Sequence, residues 1–274
     1  MNKTVNKPKL YIVPTPIGNL GDITYRAVEV LKTVDIIFSE DTRNTLKLLN
    51  HLGIKKKLLS YYKDNELKAT KQIFKHINDG EIVALTSDAG TPCISDPGQI
   101  IIKKLIENNI PFEVLPGPTA FIPAVIKSGF PTDKIYFSGF LPQKNSDRKE
   151  YLNYLQNNIS ATIVFYESPH RIISTLKELL DIFSPPISVS RELTKIHETT
   201  YFIFSEEDIE EIKPRGEFVI VINNKITTND SLYNIQELLI KLQKENFNNQ
   251  EIIKIFKVLG IRRNVIYRLL LKND

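Results

Sequence analysis

The sequence predicts an α/β fold, built as two successive α/β domains and a short helical tail. Short apolar runs alternate with amphipathic stretches along most of the chain, a pattern typical of strands that alternate with helices. Gly, Pro and Asp cluster where the apolar runs end. The length of 274 residues suits two domains of about 100–150 residues. Together these features indicate βαβ units and a largely parallel sheet.

The first domain, which we place at residues 1–128, is expected to alternate five strands with five helices. Its strands are apolar runs of four or five residues, which are too short for helices, and its helices repeat apolar residues every three or four positions. The predicted strands are Leu10–Val13, Asp35–Ser39, Lys57–Ser60, Ile82–Leu85 and Phe112–Leu115. The predicted helices are Tyr25–Thr33, Asn44–Leu52, Glu66–Asn78, Gln99–Asn108 and Thr119–Lys127.

The second domain, placed at residues 129–225, opens with the Gly-, Pro- and Phe-rich segment Gly129–Gln143, which is expected to carry a strand across from the first. The further predicted elements are the helices Ser146–Asn157 and Arg171–Ile182 and the strands Thr162–Tyr166, Ile187–Arg191, Thr200–Phe204 and Phe218–Ile222. The last three strands follow one another with little helix between them. This sheet is therefore predicted to be mixed.

The tail, residues 231–274, is predicted to hold three helices near 231–244, 249–258 and 262–271. It contains eight Lys and Arg against four Asp and Glu, a net charge of +4 that equals the net charge of the whole chain. A basic tail on a neutral body indicates contact with nucleic acid. A solvated, lysine-rich helix face explains the charge equally well, and the helices could instead serve dimerisation or packing.

Composition excludes several classes of protein. The single cysteine, Cys93, rules out an internal disulfide and disfavours a cysteine-built zinc site. His170 and His197 lack ligand-like spacing, so no metal site is predicted. No apolar run reaches the ~18 residues of a membrane span, and the polar N-terminus lacks a signal-peptide core, so a cytoplasmic location is expected.

Three loops rich in Gly and Pro follow predicted strands, at the sheet edge where open α/β sheets bind ligands. They are residues 14–22 (PTPIGNLGD), 87–98 (SDAGTPCISDPG) and 115–120 (LPGPTA). Asp88 is placed to accept hydrogen bonds from a ligand hydroxyl or ammonium. Asp96 is expected to cap the next helix, as is Thr119. Each loop alone is also compatible with an ordinary strand-to-helix turn.

Three charged clusters follow other strands. They are SEDTR at 39–43, YESPHR at 166–171 and RELTK at 191–195. Any one of them is compatible with a solvated loop. Because all three follow the carboxyl ends of strands, we expect them to face one cleft.

Taken in order, these segments resemble the bacterial 16S rRNA (cytidine-2′-O)-methyltransferases, within the tetrapyrrole-methylase-like class of S-adenosylmethionine enzymes. The resemblance covers roughly residues 8–223. Its motifs are PTPIGNLGD at 14–22, SEDTR at 39–43, SDAGTPCISDPG at 87–98, PGPTA at 116–120, GFLP at 139–142, FYESPHR at 165–171, RELTK at 191–195 and GEFVIVI at 216–222. The chain departs from the family at Cys93, where an aliphatic or small residue is expected, and in the tail.

The resemblance implies two α/β domains with S-adenosylmethionine bound in the cleft between them, a homodimer, and 16S rRNA or the small ribosomal subunit as partner. The cofactor contacts that it implies are Pro16, Ile17, Asp88, Thr91, Thr119, Ala120 and Tyr166. Gly216 and Glu217 would close the cleft from the second domain.

The implied reaction is methyl transfer to a ribose 2′-hydroxyl, which a base or a polarising cation should assist. Glu167, Glu40 and Lys195 are the candidates, and the sequence does not choose between them. Candidate phosphate contacts are Arg43, Arg148, Arg171 and Arg191, each of which could equally be a surface charge or part of an ion pair.

Two alternatives remain. A porphyrin or corrin C-methyltransferase on the same fold is disfavoured by the basic tail and the arginine-bearing clusters. A non-catalytic RNA-binding relative is disfavoured by the intact loop at 87–98.

Overall fold

The computed structural model describes residues 7–226, 238–245 and 247–258. The chain forms two compact units, Met1–Asn224 and Lys225–Asp274. The larger unit carries two five-stranded sheets with helices packed on them, which confirms the predicted α/β class. In its described part, the smaller unit consists of helices.

The first sheet is parallel throughout. Its strands are β1 (Leu10–Ile12), β2 (Ile36–Ser39), β3 (Lys57–Ser60), β4 (Val83–Thr86) and β5 (Phe112–Val114), in the order β3-β2-β4-β1-β5. Its helices are α1 (Tyr25–Thr33), α2 (Thr42–His51), α3 (Glu66–Asn78), α4 (Gln99–Glu107) and α5 (Phe121–Ser128). Because β1 and β4 are neighbours at the centre, the loops that follow them meet at one edge.

Both faces of the first sheet are covered by helices. Ile36 and Phe38 belong to the core on one face, while Ile37, between them, belongs to the core on the other. A strand buried on both sides needs apolar residues at every position. This explains why the strand appears in the sequence as a continuous apolar run.

The second sheet is mixed, as predicted. Its elements are β6 (Ile135–Phe140), α6 (Asn145–Asn158), β7 (Ala161–Glu167), α7 (Ile172–Ile182), β8 (Ile187–Arg191), β9 (Thr199–Ile203), α8 (Glu206–Ile209) and β10 (Phe218–Asn224). The order is β6-β7-β10-β8-β9, with β6 parallel to β7 and the other pairs antiparallel. Strand β10 therefore inserts between β7 and β8, a position that the strand pattern did not predict.

Helix α5 joins the two sheets. Its Ala124 and Val125 are buried together with Val164 and Val219 of the second sheet. The helix ends at Gly129, which adopts a left-handed conformation with φ of 69°. The boundary that we propose between the two α/β domains, after residue 128, lies at this point.

Two expected helix caps are wrong. Helix α5 has Ala120 as its N-cap, in a helical conformation without a side-chain cap, so Thr119 does not cap it. Helix α4 begins after Gly98, whose N–H donates to a carboxylate oxygen of Glu66 at 2.7 Å. Helix α4 therefore begins without a side-chain cap, and Asp96 does not cap it.

The smaller unit contains a helix at residues 238–244, α9, and the helix Asn249–Val258, α10, which confirms the predicted bounds of the latter. Leu239, Ile252 and Phe256 form its buried core. The predicted helix at 262–271, and the part of the one at 231–244 before residue 238, lie outside the described residues. None of the helices in the described ranges is both long and apolar enough to span a bilayer.

Candidate active site

A cavity of about 420 Å³ lies where the loops of the first sheet meet the second sheet. This volume is within the ~300–1,000 Å³ range of small-molecule sites. Its walls come from the segments after β1, β2, β4 and β5, the ends of β6 and β7, and the start of β10. Six of the seven expected cofactor contacts line it, namely Ile17, Asp88, Thr91, Thr119, Ala120 and Tyr166.

The loops after β1, β4 and β5 are fastened to one another. The backbones of Thr15 and Gly90 exchange two hydrogen bonds, at 2.9 and 3.0 Å. The Thr91 hydroxyl donates to the carbonyl of Pro118 at 2.9 Å. Pro16, the seventh expected contact, is buried and does not line the cavity. Its position supports the wall that Ile17 forms.

Asp88 connects the loop after β4 to the loop after β2. One carboxylate oxygen accepts the N–H of Asp41 at 2.9 Å, and the other accepts from the side-chain amide of Asn44 at 3.2 Å. The carboxylate remains exposed on the cavity wall. It can therefore meet a ligand while it holds the start of α2.

Two further carboxyl groups line the cavity and have raised pKa values. Burial, and then the neighbouring Asp88 carboxylate, raises the pKa of Glu40. Burial, followed by the nearby carboxylates of Glu40 and Asp88, raises the pKa of Asp96 to about 7, against a weaker lowering effect of the hydrogen bond from Ser87. Asp96 is thus a carboxyl group that titrates near neutral pH. The sequence pattern predicts only a helix cap at this position and does not identify Asp96 as a site residue.

The aromatic side chains of Tyr166 and Phe140 form another part of the cavity wall. The Tyr166 ring packs edge-on against Phe137 and Phe140, with centroid separations of 5.2 and 5.6 Å. Burial raises the pKa of Tyr166 to about 12, so its hydroxyl stays protonated at neutral pH. The wall offers an apolar surface with one neutral hydroxyl group.

Glu167 is buried, and both of its carboxylate oxygens are engaged. One accepts from the N–H of Ser168 at 2.7 Å and from the Arg171 guanidinium at 2.7 and 3.0 Å, and the other accepts from the Thr175 hydroxyl at 2.8 Å. Arg171 also donates to the carbonyl of Pro142 at 3.2 Å. This pair therefore acts as a structural link between β7 and the loop after β6. Because both groups are engaged in this link, Glu167 is poorly suited to act as a base, and Arg171 is poorly suited to contact a phosphate.

Lys195 lies outside the cavity lining, between two glutamates. Its ammonium donates to Glu192 at 2.9 Å and to Glu217 at 3.1 Å. Burial alone would lower the pKa of Lys195, but the hydrogen bonds to these carboxylates outweigh burial and raise it. Lys195 is therefore charged and cannot act as a base, while Glu217 and its neighbour Gly216 line the cavity, as the resemblance implies.

The remaining arginines differ in their access to a phosphate. Arg43 is 85% exposed and pairs with Asp41 at 2.6 Å. Arg191 is partly exposed and donates to the carbonyl of Arg215 at 2.6 Å. Arg148 is only 3% exposed, and its Nε donates to Glu178 at 2.8 Å. The position of Arg148 is that of a structural ion pair, so we do not retain it as a phosphate contact.

Residues 9–210 match the family model described as tetrapyrrole (corrin/porphyrin) methylases. Curated relatives named ribosomal RNA small subunit methyltransferase I include the one from Vibrio cholerae, 38% identical over 99% of this chain and 98% of that protein. The relative from Synechocystis is 45% identical over 78% of each chain. The relative from Thermotoga maritima is 43% identical over 79% of this chain and 99% of its own, so it has no counterpart to about a fifth of this chain.

Solved structures with the same fold are more distant in sequence. A uroporphyrin-III C-methyltransferase from Thermus thermophilus, complexed with S-adenosyl homocysteine, has a TM-score of 0.54 and 19% identity over 78% of this chain and 96% of that one. A diphthine synthase has a TM-score of 0.62 and 12% identity over 78% of this chain and 89% of that one. At such identities the likeness concerns the fold.

Proposed function

Because this chain belongs to the tetrapyrrole (corrin/porphyrin) methylase family, we propose that it transfers a methyl group from S-adenosylmethionine to the ribose 2′-hydroxyl of a cytidine in 16S ribosomal RNA. The chain is a methyltransferase that depends on S-adenosylmethionine. One observation carries the choice of acceptor: relatives named for small-subunit rRNA methylation align over nearly the full length of both chains. The arginine in SEDTR, which remains exposed, supports the same choice.

The cavity suits S-adenosylmethionine in both charge and shape. Asp88, Glu40 and Asp96 offer carboxyl groups to a ligand that carries a sulfonium and an ammonium, and Ile17, Ala120 and Val219 offer apolar surface to its adenine. At Gly90, which has a φ of 83°, an added Cβ would lie 3.3 Å from the Ile17 side chain. The absence of a side chain at Gly90 thus allows the loop after β4 to pack closely against Ile17 in the cavity wall.

The bound cofactor supplies an already activated methyl group. The part left to the protein is to align a hydroxyl with that group and to accept its proton. Glu40 and Asp96 line the cavity as carboxyl groups with raised pKa values. A base with a pKa near the working pH is the most effective one. We therefore propose Glu40 or Asp96 as proton acceptor, in preference to Glu167 and Lys195.

We expect cofactor binding to release a proton from Asp96. Below pH 7 this carboxyl is largely protonated in the free protein, and a cationic ligand favours its ionised form. Affinity for S-adenosylmethionine should therefore rise with pH by up to about tenfold per unit below pH 7 and level off above it. Calorimetry at pH 6 in two buffers of different ionisation enthalpy measures the released proton. Asp96→Asn should abolish the release, and an unchanged release in that variant would contradict the assignment.

The proposed reaction is tested with small ribosomal subunits from a strain in which the gene is deleted. The purified protein and S-adenosylmethionine should add one methyl group to a 16S rRNA cytidine, and nucleoside mass spectrometry should place it on the ribose. A methyl group on the base would contradict the 2′-O position. Methylation of a porphyrin or corrin precursor instead of rRNA would support the first alternative function. Failure to bind S-adenosylmethionine would support a non-catalytic relative.

Deleting residues 225–274 should weaken RNA binding and flatten its salt dependence, if the basic tail contacts phosphates. Each contact contributes about 0.7 to the slope of log affinity against log salt for single strands, so losing two or three contacts changes the slope by about two. Cofactor affinity should stay the same, because the cavity residues all precede residue 220.

The same truncated protein tests the proposed homodimer. If the truncated protein is a monomer and the salt slope of its RNA binding is unchanged, the tail is a dimerisation element and does not dock RNA. Light scattering during gel filtration measures that mass.

A further inference from the structure

We propose that Phe140 is the stacking platform for the base of the acceptor nucleotide. The proposal rests on the proposed function, since it assigns a place to the cytosine whose ribose is methylated. A base must be unstacked from its neighbours for its own nucleotide to enter an enclosed site, and aromatic side chains receive bases released in this way. Phe140 is 55% exposed and lines the cavity at the end of β6.

A β-bulge brings Phe140 to this wall. Three steps along β6, from Phe137 to Phe140, oppose only two steps along β7, from Val164 to Tyr166. In a regular strand, residues three apart point to opposite faces. The extra residue in β6 turns the side chains that follow it to the other face, so Phe140 lies on the same face of the sheet as Phe137. Phe137 and Phe140 consequently both contact the Tyr166 ring.

A glycine allows the bulge, and an arginine fastens the segment that follows it. Gly139 has a φ of 67°, a left-handed conformation that favours glycine. Arg171 binds the carbonyls of Leu141 and Pro142, the two residues after Phe140. The Phe140 ring is therefore pre-positioned although most of its surface faces solvent, as expected of a stacking platform rather than a core residue.

Two exposed basic side chains follow cavity-lining segments, whereas the lining itself carries carboxyl groups. They are Arg43 after β2, which pairs with Asp41, and Lys144 after β6, which pairs with Asp147. Cations of this kind hold a phosphate backbone while an aromatic ring receives a base. The acceptor nucleotide would then enter with its base on Phe140 and its ribose toward the carboxyl groups of Glu40 and Asp96.

Paired substitutions separate this role from cofactor binding. Phe140→Leu keeps apolar bulk but removes the flat ring, and it should weaken the apparent affinity for small ribosomal subunits about 5- to 30-fold in single-turnover methyl transfer. Phe140→Tyr should stay within about twofold of the parent protein, because a phenol ring stacks as well. Affinity for S-adenosyl homocysteine, measured by calorimetry, should fall by less than the affinity for subunits does, because Phe140 also packs on Tyr166 in the cofactor cavity. Phe204→Leu, at an exposed ring after β9, is the matched control.

A binding measurement independent of turnover completes the test. The chain contains no tryptophan, so Phe140→Trp introduces a single tryptophan. Its fluorescence is quenched when a base stacks on it. A cytidine-containing single-stranded RNA should quench it, whereas Phe204→Trp should not respond. The proposal that Phe140 stacks on the acceptor base would be wrong if Phe140→Leu binds RNA normally, or if it loses cofactor affinity instead of RNA affinity. Either result would leave the proposed function intact. If the parent protein binds and methylates no RNA, the proposed function fails and the platform with it.

Discussion

Glu167→Gln is expected to lower the free energy of unfolding by about 3 kcal/mol, a large share of the stability of a typical domain. The carboxylate is fully buried and accepts hydrogen bonds from Ser168, Arg171 and Thr175. Glutamine keeps the shape but lacks the negative charge, and its amide nitrogen cannot accept a hydrogen bond. Arg171, whose side chain is only 22% exposed, would lose its counter-ion.

The same substitution should also disturb RNA binding, because Arg171 holds the loop that follows Phe140. Chemical denaturation measures the stability, and a titration with small ribosomal subunits measures the affinity. Glu217→Gln is the control, since that carboxylate is 70% exposed and should affect stability little. If Glu167→Gln unfolds like the parent protein but turns over more slowly, the residue would return to the list of catalytic bases.

The placement of the site could be predicted from sequence because of where parallel strands end. Polar loops after β1, β4 and β5 were expected to share one sheet edge, and all three line the cavity. Helix bounds were accurate where local signals are strong. Helix α1, for example, follows Thr24, whose hydroxyl accepts the N–H of Ala27, and it spans the predicted residues.

Features that depend on distant contacts were not predictable in the same way. Asp96 looked like a helix cap, but Pro97 and Gly98 separate it from Gln99, and the N–H of Gly98 binds Glu66 of another helix. In the sequence, only the spacing of two residues between Asp96 and the start of the helix indicated that Asp96 is not the cap. The insertion of β10 between β7 and β8 depends on long-range pairing that periodicity does not encode. Likewise, the ion pairs of Arg148 and Arg171 depend on where α6 and α7 pack.

Asp88→Ala is expected to weaken S-adenosylmethionine binding about 10- to 150-fold, the equivalent of losing a charge-assisted hydrogen bond of ~1.5–3 kcal/mol. The carboxylate is exposed on the cavity wall, and its two oxygens also receive the Asp41 N–H and the Asn44 amide. Removing it takes away a ligand contact and loosens the start of α2. Isothermal calorimetry with the folded variant measures the loss.

Two comparisons identify what Asp88 contributes. Asp88→Asn retains an acceptor for the Asp41 N–H but removes the negative charge, so it should fall between the parent protein and Asp88→Ala. S-adenosyl homocysteine lacks the sulfonium charge of S-adenosylmethionine. If Asp88 binds ligand hydroxyls, both ligands should weaken alike, and if it acts through charge at the sulfonium, only S-adenosylmethionine should weaken strongly. Asp79→Ala, at an exposed helix end, is the matched control. Cofactor affinity equal to that of Asp79→Ala would remove Asp88 from the binding site, because the loop after β4 would then hold the ligand through other groups.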